Sequence, residues 1–138
     1  MIRDIVTDQF ILSQKSVEAT LDDMAIVQDL RDTLAAHEDH CVGMAANMIG
    51  YHKRIIIVKN NNDHLVMINL IILKTSGRHY DTHEGCLSHI GEKAVKRYEK
   101  IKVEYKDIHF KVKIKTFEGY VAQIIQHEID HCQGILIS

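Results

Sequence analysis

Near the end of this 138-residue chain stands His127-Glu128-Ile129-Asp130-His131, two histidines four residues apart with a glutamate after the first. The pattern has chemical meaning only on a helix. Four residues advance slightly more than one turn, so the two imidazoles project about 40° apart and can grip one ion. Glu128 then lies near the open side of that ion, where its carboxylate can take a proton from water and return it to a leaving group. The plainer reading is a pair of surface histidines on an amphipathic helix, in a chain that holds ten histidines. The helix is expected from about Phe117 to Cys132, with Thr116 as N-cap and Gly134 where a C-terminal stop belongs. Val121, Ile124, Ile125 and Ile129 need cover, so it should lie against a sheet.

The sheet is legible upstream. Arg54–Val58 and Leu65–Leu73 read as buried strands on either side of Asn60-Asn61-Asn62-Asp63, a turn signal. Ile101, Val103 and Tyr105 alternate with polar residues, as do Ile108, Phe110, Val112 and Ile114 with His109, Lys111, Lys113 and Lys115. Joined at Lys106-Asp107, these two runs read as a hairpin with one wet face. Thr20 and Asp23 form a capping-box pattern that opens a helix to about His37, with Val27, Leu30, Leu34 and Ala35 on one stripe. Residues 41–50 are rich in small side chains and are neither clearly strand nor helix. Residues 1–19 read as an irregular or partly extended arm. The sum is one α+β domain over residues 1–138: a mainly antiparallel sheet around the C-terminal helix, with one N-terminal helix.

Composition narrows the function. Hydrophobic residues make up 46% and charged residues 26%, as in ordinary globular chains. A net charge of −2 without a long basic run argues against direct nucleic-acid binding. The longest apolar run, interrupted by Asn69, is too short to span a bilayer, and no signal peptide is evident. Cys41, Cys86 and Cys132 are odd in number and widely spaced, a poor disulfide framework that suits a reducing compartment. The cytoplasm is the expected location; the oligomeric state is open.

A catalytic ion needs a third ligand. Six residues past the second histidine, where a third could follow in the same stretch of chain, stands Ile137, so the ligand is expected upstream, from Cys41, Cys86 or a surplus histidine such as His83 or His89. Cys132 falls about 140° round the helix from His127 and should face the core. Cys86, in His83-Glu84-Gly85-Cys86-Leu87-Ser88, can supply a thiolate beside a permissive glycine. With His127 and His131 it makes a three-ligand site with one open position.

Three segments together resemble the motifs of peptide deformylases, enzymes that remove the formyl group from the N-terminal methionine of new bacterial proteins. Gly43-Met44-Ala45-Ala46 matches most of the first, Glu84-Gly85-Cys86-Leu87-Ser88 the second, and Gln126 to His131, with Gly134 and Leu136, the third. Similarity runs from about residue 20 to the end. The resemblance implies that Cys86, His127 and His131 bind one divalent metal, ferrous iron in the cell and often zinc or nickel when purified. Ligand softness alone points to zinc. The resemblance also implies that Glu128 is the general acid/base, that the Leu87 N–H stabilises the oxyanion, and that the partner is an N-formylated peptide or nascent-chain N-terminus. Gly43, Met48, Gln123 and Ile124 would border the substrate, Glu84 would pair with Arg97, and Asp130 would support the ligands from behind.

One departure matters. Where the family pattern has proline and glutamine, this chain has Asn47 and Met48, so the side-chain donor for the oxyanion is missing. Losing such a donor typically costs about 3–4 kcal/mol in the transition state. The alternatives to a working deformylase are a weakly active or inactive relative that binds metal and peptide N-termini, or a hydrolase of another acyl-amide.

Overall fold

The computed structural model describes residues 1–88 and 92–135. Five antiparallel strands run in sequence order across one sheet: β1 (Gly43–Ala45), β2 (Ile55–Asn60), β3 (Asp63–Gly85), β4 (Glu92–Lys106) and β5 (Val112–Glu118). Three α-helices accompany them: α1 (Gln9–Leu12), α2 (Ala25–Ala36) and α3 (Gly119–Cys132). The expected α+β architecture, an antiparallel sheet against a C-terminal helix, is what the chain adopts.

Strand β2 explains the layering. Ile55, Ile56, Ile57 and Val58 of β2 are all fully buried, and successive side chains point to opposite faces. Ile55 and Ile57 join Ile26, Leu30, Leu34 and Ile68 in a core under α2. Ile56 and Val58 join Ile101, Val103, Ile125, Ile129 and Cys132 in a second core under α3. The stripe expected on α3 is therefore its docking face, and Cys132 is core, away from the histidines.

Element boundaries depart from expectation where tertiary contacts rule. Asn61 takes a φ of 58° in a two-residue hairpin between Asn60 and its partner Asp63, as the asparagine cluster implies. β3 continues far beyond Leu73, to Gly85, with register shifts at residues 68–71, 72–74 and 76–79. Asn69, the polar break in the apolar run, has a φ of 52°. Its amide pairs with the backbone of Ala19, accepting at 2.7 Å and donating at 3.0 Å, so it anchors the N-terminal segment to the sheet.

The β4–β5 turn is wider than Lys106-Asp107. Asp107 Oδ1 accepts from His109 and Lys111 N–H groups, and β5 starts only at Val112. β5 is an edge strand, with Val112 and Ile114 largely exposed, so its alternation buries little. Thr116 is not the N-cap of α3; it pairs with Lys102 inside the sheet, and Glu118 occupies the cap.

The Thr20–Asp23 capping box is present, but it closes a 3₁₀ turn at Leu21–Asp23 that leads into α2. Residues 41–50 resolve into β1 followed by a 3₁₀ turn at Ala46–Ile49. Residues 1–19 lie on the domain. The Val6 N–H bonds the Met48 carbonyl at 2.8 Å, the Ser16 N–H bonds the Cys132 carbonyl at 2.8 Å, and Leu12 is buried. Gly134, with a φ of 72°, ends α3, and a Cβ there would come within 2.3 Å of the Ser13 carbonyl. Ile135, the last described residue, is not in a strand.

Candidate metal centre

Helix α3 leaves the sheet where β5 stops pairing at Glu118, opposite Lys100. Beyond that point the backbone of Tyr98 in β4 has no β5 residue beside it. Gln126 takes the place of one, accepting from the Tyr98 N–H at 2.8 Å and donating to its carbonyl at 2.8 Å. This bond fixes the rotation of α3 on the sheet, one residue before His127. Gln126 was not singled out in the sequence; a glutamine among the apolar positions of a buried helix face is the signal for it.

So held, α3 presents His127, Glu128 and His131, all buried, toward the end of β3. The ligand atoms of Cys86, His127 and His131 lie within 4.8 Å of one another, with Cys86 Sγ 3.3 Å from His131 Nε2. Among the described residues, no other group of three such side chains converges. Cys41 and His83 line the same cavity without joining the cluster. The Cys41 thiol turns onto the Gly43 carbonyl at 2.9 Å, and burial pushes it up to about 12. His89 lies outside the described residues.

Behind the histidines is a charged network. Glu84 accepts two bonds from Arg97, Nε at 2.9 Å and Nη2 at 2.7 Å, which makes the expected pair bidentate. Arg97 Nη1 also donates to Asp130 Oδ2 at 2.8 Å. Glu84 Oε1 lies 2.8 Å from His127 Nδ1; a carboxylate only accepts, so Nδ1 carries a proton and Nε2 is the nitrogen left for the cluster with Cys86 and His131. Burial alone would push the Glu84 carboxyl up, but bonds from His127, Arg97 and Gln123 outweigh it and hold the group down to about 2.

Glu128 has no such support. Burial pushes its carboxyl up to about 7, only partly countered by His127, and its Oε1 has no hydrogen-bond partner among the described residues. A group near neutrality suits a proton shuttle. A buried orphan oxygen beside three convergent soft and borderline ligands fits a metal ion and its water. The residues present therefore fit a divalent cation.

The cavity in front, about 430 Å³, is bordered by Gly43, Met48, Leu87, Gln123, Ile124 and Glu128, together with His40 and Tyr120, which were not anticipated. Gly43 is tight: a Cβ would fall 2.7 Å from Ile124 Cγ2 and 3.1 Å from Glu128 Oε2. Met48 is nearly fully buried, and its Sδ accepts from the Ala45 N–H at 3.5 Å. Asn47 does not reach the cavity. Its Nδ2 donates to the His131 carbonyl at 2.9 Å and lies 3.5 Å from the Leu12 carbonyl. Gln123 borders the cavity, but its amide nitrogen is committed to Glu84 at 2.9 Å.

An antiparallel sheet carrying a cysteine at a strand end, opposite a helix with two histidines and a buried glutamate, defines a metal-dependent hydrolase. The family model described as polypeptide deformylase matches residues 2–138. A peptide deformylase of Clostridium beijerinckii is 53% identical over 137 residues, covering 99% of this chain and all of that protein. The actinonin-bound crystal structure of an Acinetobacter baumannii class I type b peptide deformylase superposes with a TM-score of 0.89 at 30% identity, covering 99% of this chain and 96% of that one. The Met-Ala-Ser-bound structure of the same enzyme gives 0.88 at 28% identity, covering 99% and 96%. The chain belongs to the polypeptide deformylase family, and it is a hydrolase of that kind, acting on N-formyl peptides.

Proposed function

We propose that the chain removes the formyl group from N-formyl-methionyl peptides with the machinery of this one cavity. The observation that carries this reading is the convergence of Cys86, His127 and His131 beside the buried Oε1 of Glu128, which has no partner among the described residues. Cys86, His127 and His131 would hold a divalent ion, iron(II) in the cell by family resemblance, with zinc or nickel compatible with the same ligands. When bound, the ion supplies Lewis acidity, which lowers the pKa of water and polarises the formyl oxygen.

Glu84 keeps the proton on His127 Nδ1, and so keeps Nε2 available as a ligand. Glu128 takes the proton from the attacking water and passes it to the departing amine. Its raised pKa leaves it able to do both near pH 7. Gly43 leaves room for the substrate backbone beside Glu128, and Ile124 supplies apolar wall to the cavity. The Leu87 N–H is the remaining protein donor for the oxyanion, because Met48 offers a thioether and no proton. Leaving-amine products such as Met-Ala-Ser, the tripeptide bound in the Acinetobacter enzyme, suit this cavity. The free state of all three cysteines supports a reducing compartment such as the cytoplasm.

The deciding assay is formate release from formyl-Met-Ala-Ser by metal-loaded protein. Turnover that disappears in Glu128→Ala, with the metal still bound, is expected; metal-replete wild-type protein that releases no formate from any N-formyl peptide overturns the reading.

A further inference from the structure

Gln123 stands one turn before His127 on α3, at a place where an apolar side chain would make the better wall for a methionine-sized pocket. Its polarity needs a reason, and its hydrogen bonds supply one. Nε2 donates to Glu84 Oε2 at 2.9 Å, and Oε1 accepts from the Tyr80 hydroxyl at 3.4 Å. The amide can have only this orientation. The Glu84 carboxylate cannot donate, so it must face the NH₂ group, which leaves Oε1 toward the tyrosine O–H.

Glu84 thereby receives donors from Arg97 Nε, Arg97 Nη2, His127 Nδ1 and Gln123 Nε2, which fills the roughly four lone-pair positions a carboxylate offers. Without Gln123, Oε2 keeps a single donor, and the carboxylate can pivot on the Arg97 fork. The oxygen that sets the His127 ring would move with it. Tyr80 is the cross-strand partner of Arg97, so the chain Tyr80–Gln123–Glu84–His127 is anchored on the same strands as the arginine.

We infer that Gln123 is a positioning residue for the metal centre, acting through Glu84 on His127, rather than a selector of the substrate's first side chain. The inference rests on the reading of Cys86, His127 and His131 as ligands. Its core test is independent of turnover.

Zinc affinity is measured by chelator competition in wild type, Gln123→Leu and Tyr80→Phe, alongside kcat and KM for formyl-Met-Ala-Ser and thermal unfolding of the metal-free proteins. Leucine keeps the bulk of the wall and removes the donor. Gln123→Leu should weaken zinc binding by about 10- to 100-fold, the range for loss of an outer partner of a ligating histidine. It should lower kcat by a larger factor than it raises KM, because leucine keeps the bulk of the cavity wall that Gln123 borders. Tyr80→Phe, which leaves Gln123 in place, should shift zinc affinity in the same direction by less. A Gln123→Leu protein with wild-type zinc affinity, or one changed only in KM, overturns the inference. Should that variant not fold, Tyr80→Phe decides: unchanged affinity and unchanged kcat count against it. A wild type that binds zinc but releases no formate would refute the deformylase reading and leave the affinity comparison standing.

Discussion

At Gly43 the space for a side chain runs out against Ile124 and Glu128, the proposed acid/base. Gly43→Ala must displace Ile124 and Glu128, the two side chains its Cβ would strike. Formate release should fall by about 10-fold or more, a cost typical of a misplaced acid/base. Metal content by elemental analysis should stay unchanged. Met48 raises the opposite question, because the cavity has lost a donor there. Met48→Gln puts an amide where the thioether now caps the Ala45 N–H, with its head free to turn into the cavity. If the missing donor limits the rate, kcat should rise by about 10-fold or more, toward the ~100- to 1000-fold that one oxyanion donor is worth. No increase would place the missing stabilisation elsewhere. Asn47 shows why a neighbouring amide cannot substitute: its nitrogen already serves the His131 carbonyl.

At the scale of elements, stability and the site share the same parts. Arg97 joins β4 to the end of β3 and to α3 through Glu84 and Asp130, and it is itself buried. Arg97→Met leaves Glu84 buried without its counter-ion, which should cost about 3–5 kcal/mol in urea unfolding. The lead-in to α2 carries the clearest pH dependence remote from the metal. The Thr20 backbone N–H, helped by Lys53, holds the Asp23 carboxyl below its ordinary value of 3.8. A depressed carboxyl stabilises the fold above that ordinary value and loses its effect as pH falls through the lower folded value. Asp23→Asn should therefore cost about 1 kcal/mol at pH 7, as caps do, and in parallel melts the gap from wild type should close as the pH falls below the ordinary carboxyl range.

Across the whole molecule, α3 is clamped at its middle and at its C-terminal end. Gln126 fastens its middle to β4, and the residues before Ala19 close its C-terminal turn through the Ser16–Cys132 and Gly134–Ser13 contacts. An ion held by Cys86, His127 and His131, as proposed above, would tie the same helix to the end of β3. Chelation should abolish formate release and lower the melting temperature together. At ligand concentrations 100 times Kd the loaded protein should be more stable by about 2.7 kcal/mol, and added zinc should restore both properties. No helix among the described residues is long and apolar enough to cross a membrane.

The local patterns were readable because they rest on periodicity and short-range bonding. Four-residue spacing placed His127, Glu128 and His131 on one face, an asparagine cluster marked the β2–β3 turn, and Thr20 with Asp23 announced its capping box. What the sequence determined by itself was this set of elements and the chemistry each could carry. The long-range assembly was decided only by the folded chain. β3 extends to Gly85 because β4 is there to pair with it, and Thr116 is a strand residue because Lys102 lies opposite. Spacing alone leaves Cys41 beside Cys86 as a third-ligand candidate and the motif resemblance selects Cys86; the fold turns the Cys41 thiol onto Gly43 and brings Cys86 to His131. Gln123 likewise looked like pocket lining until Glu84, 39 residues away, claimed its amide. Such choices depend on distances between residues far apart in the chain, and no local pattern encodes those.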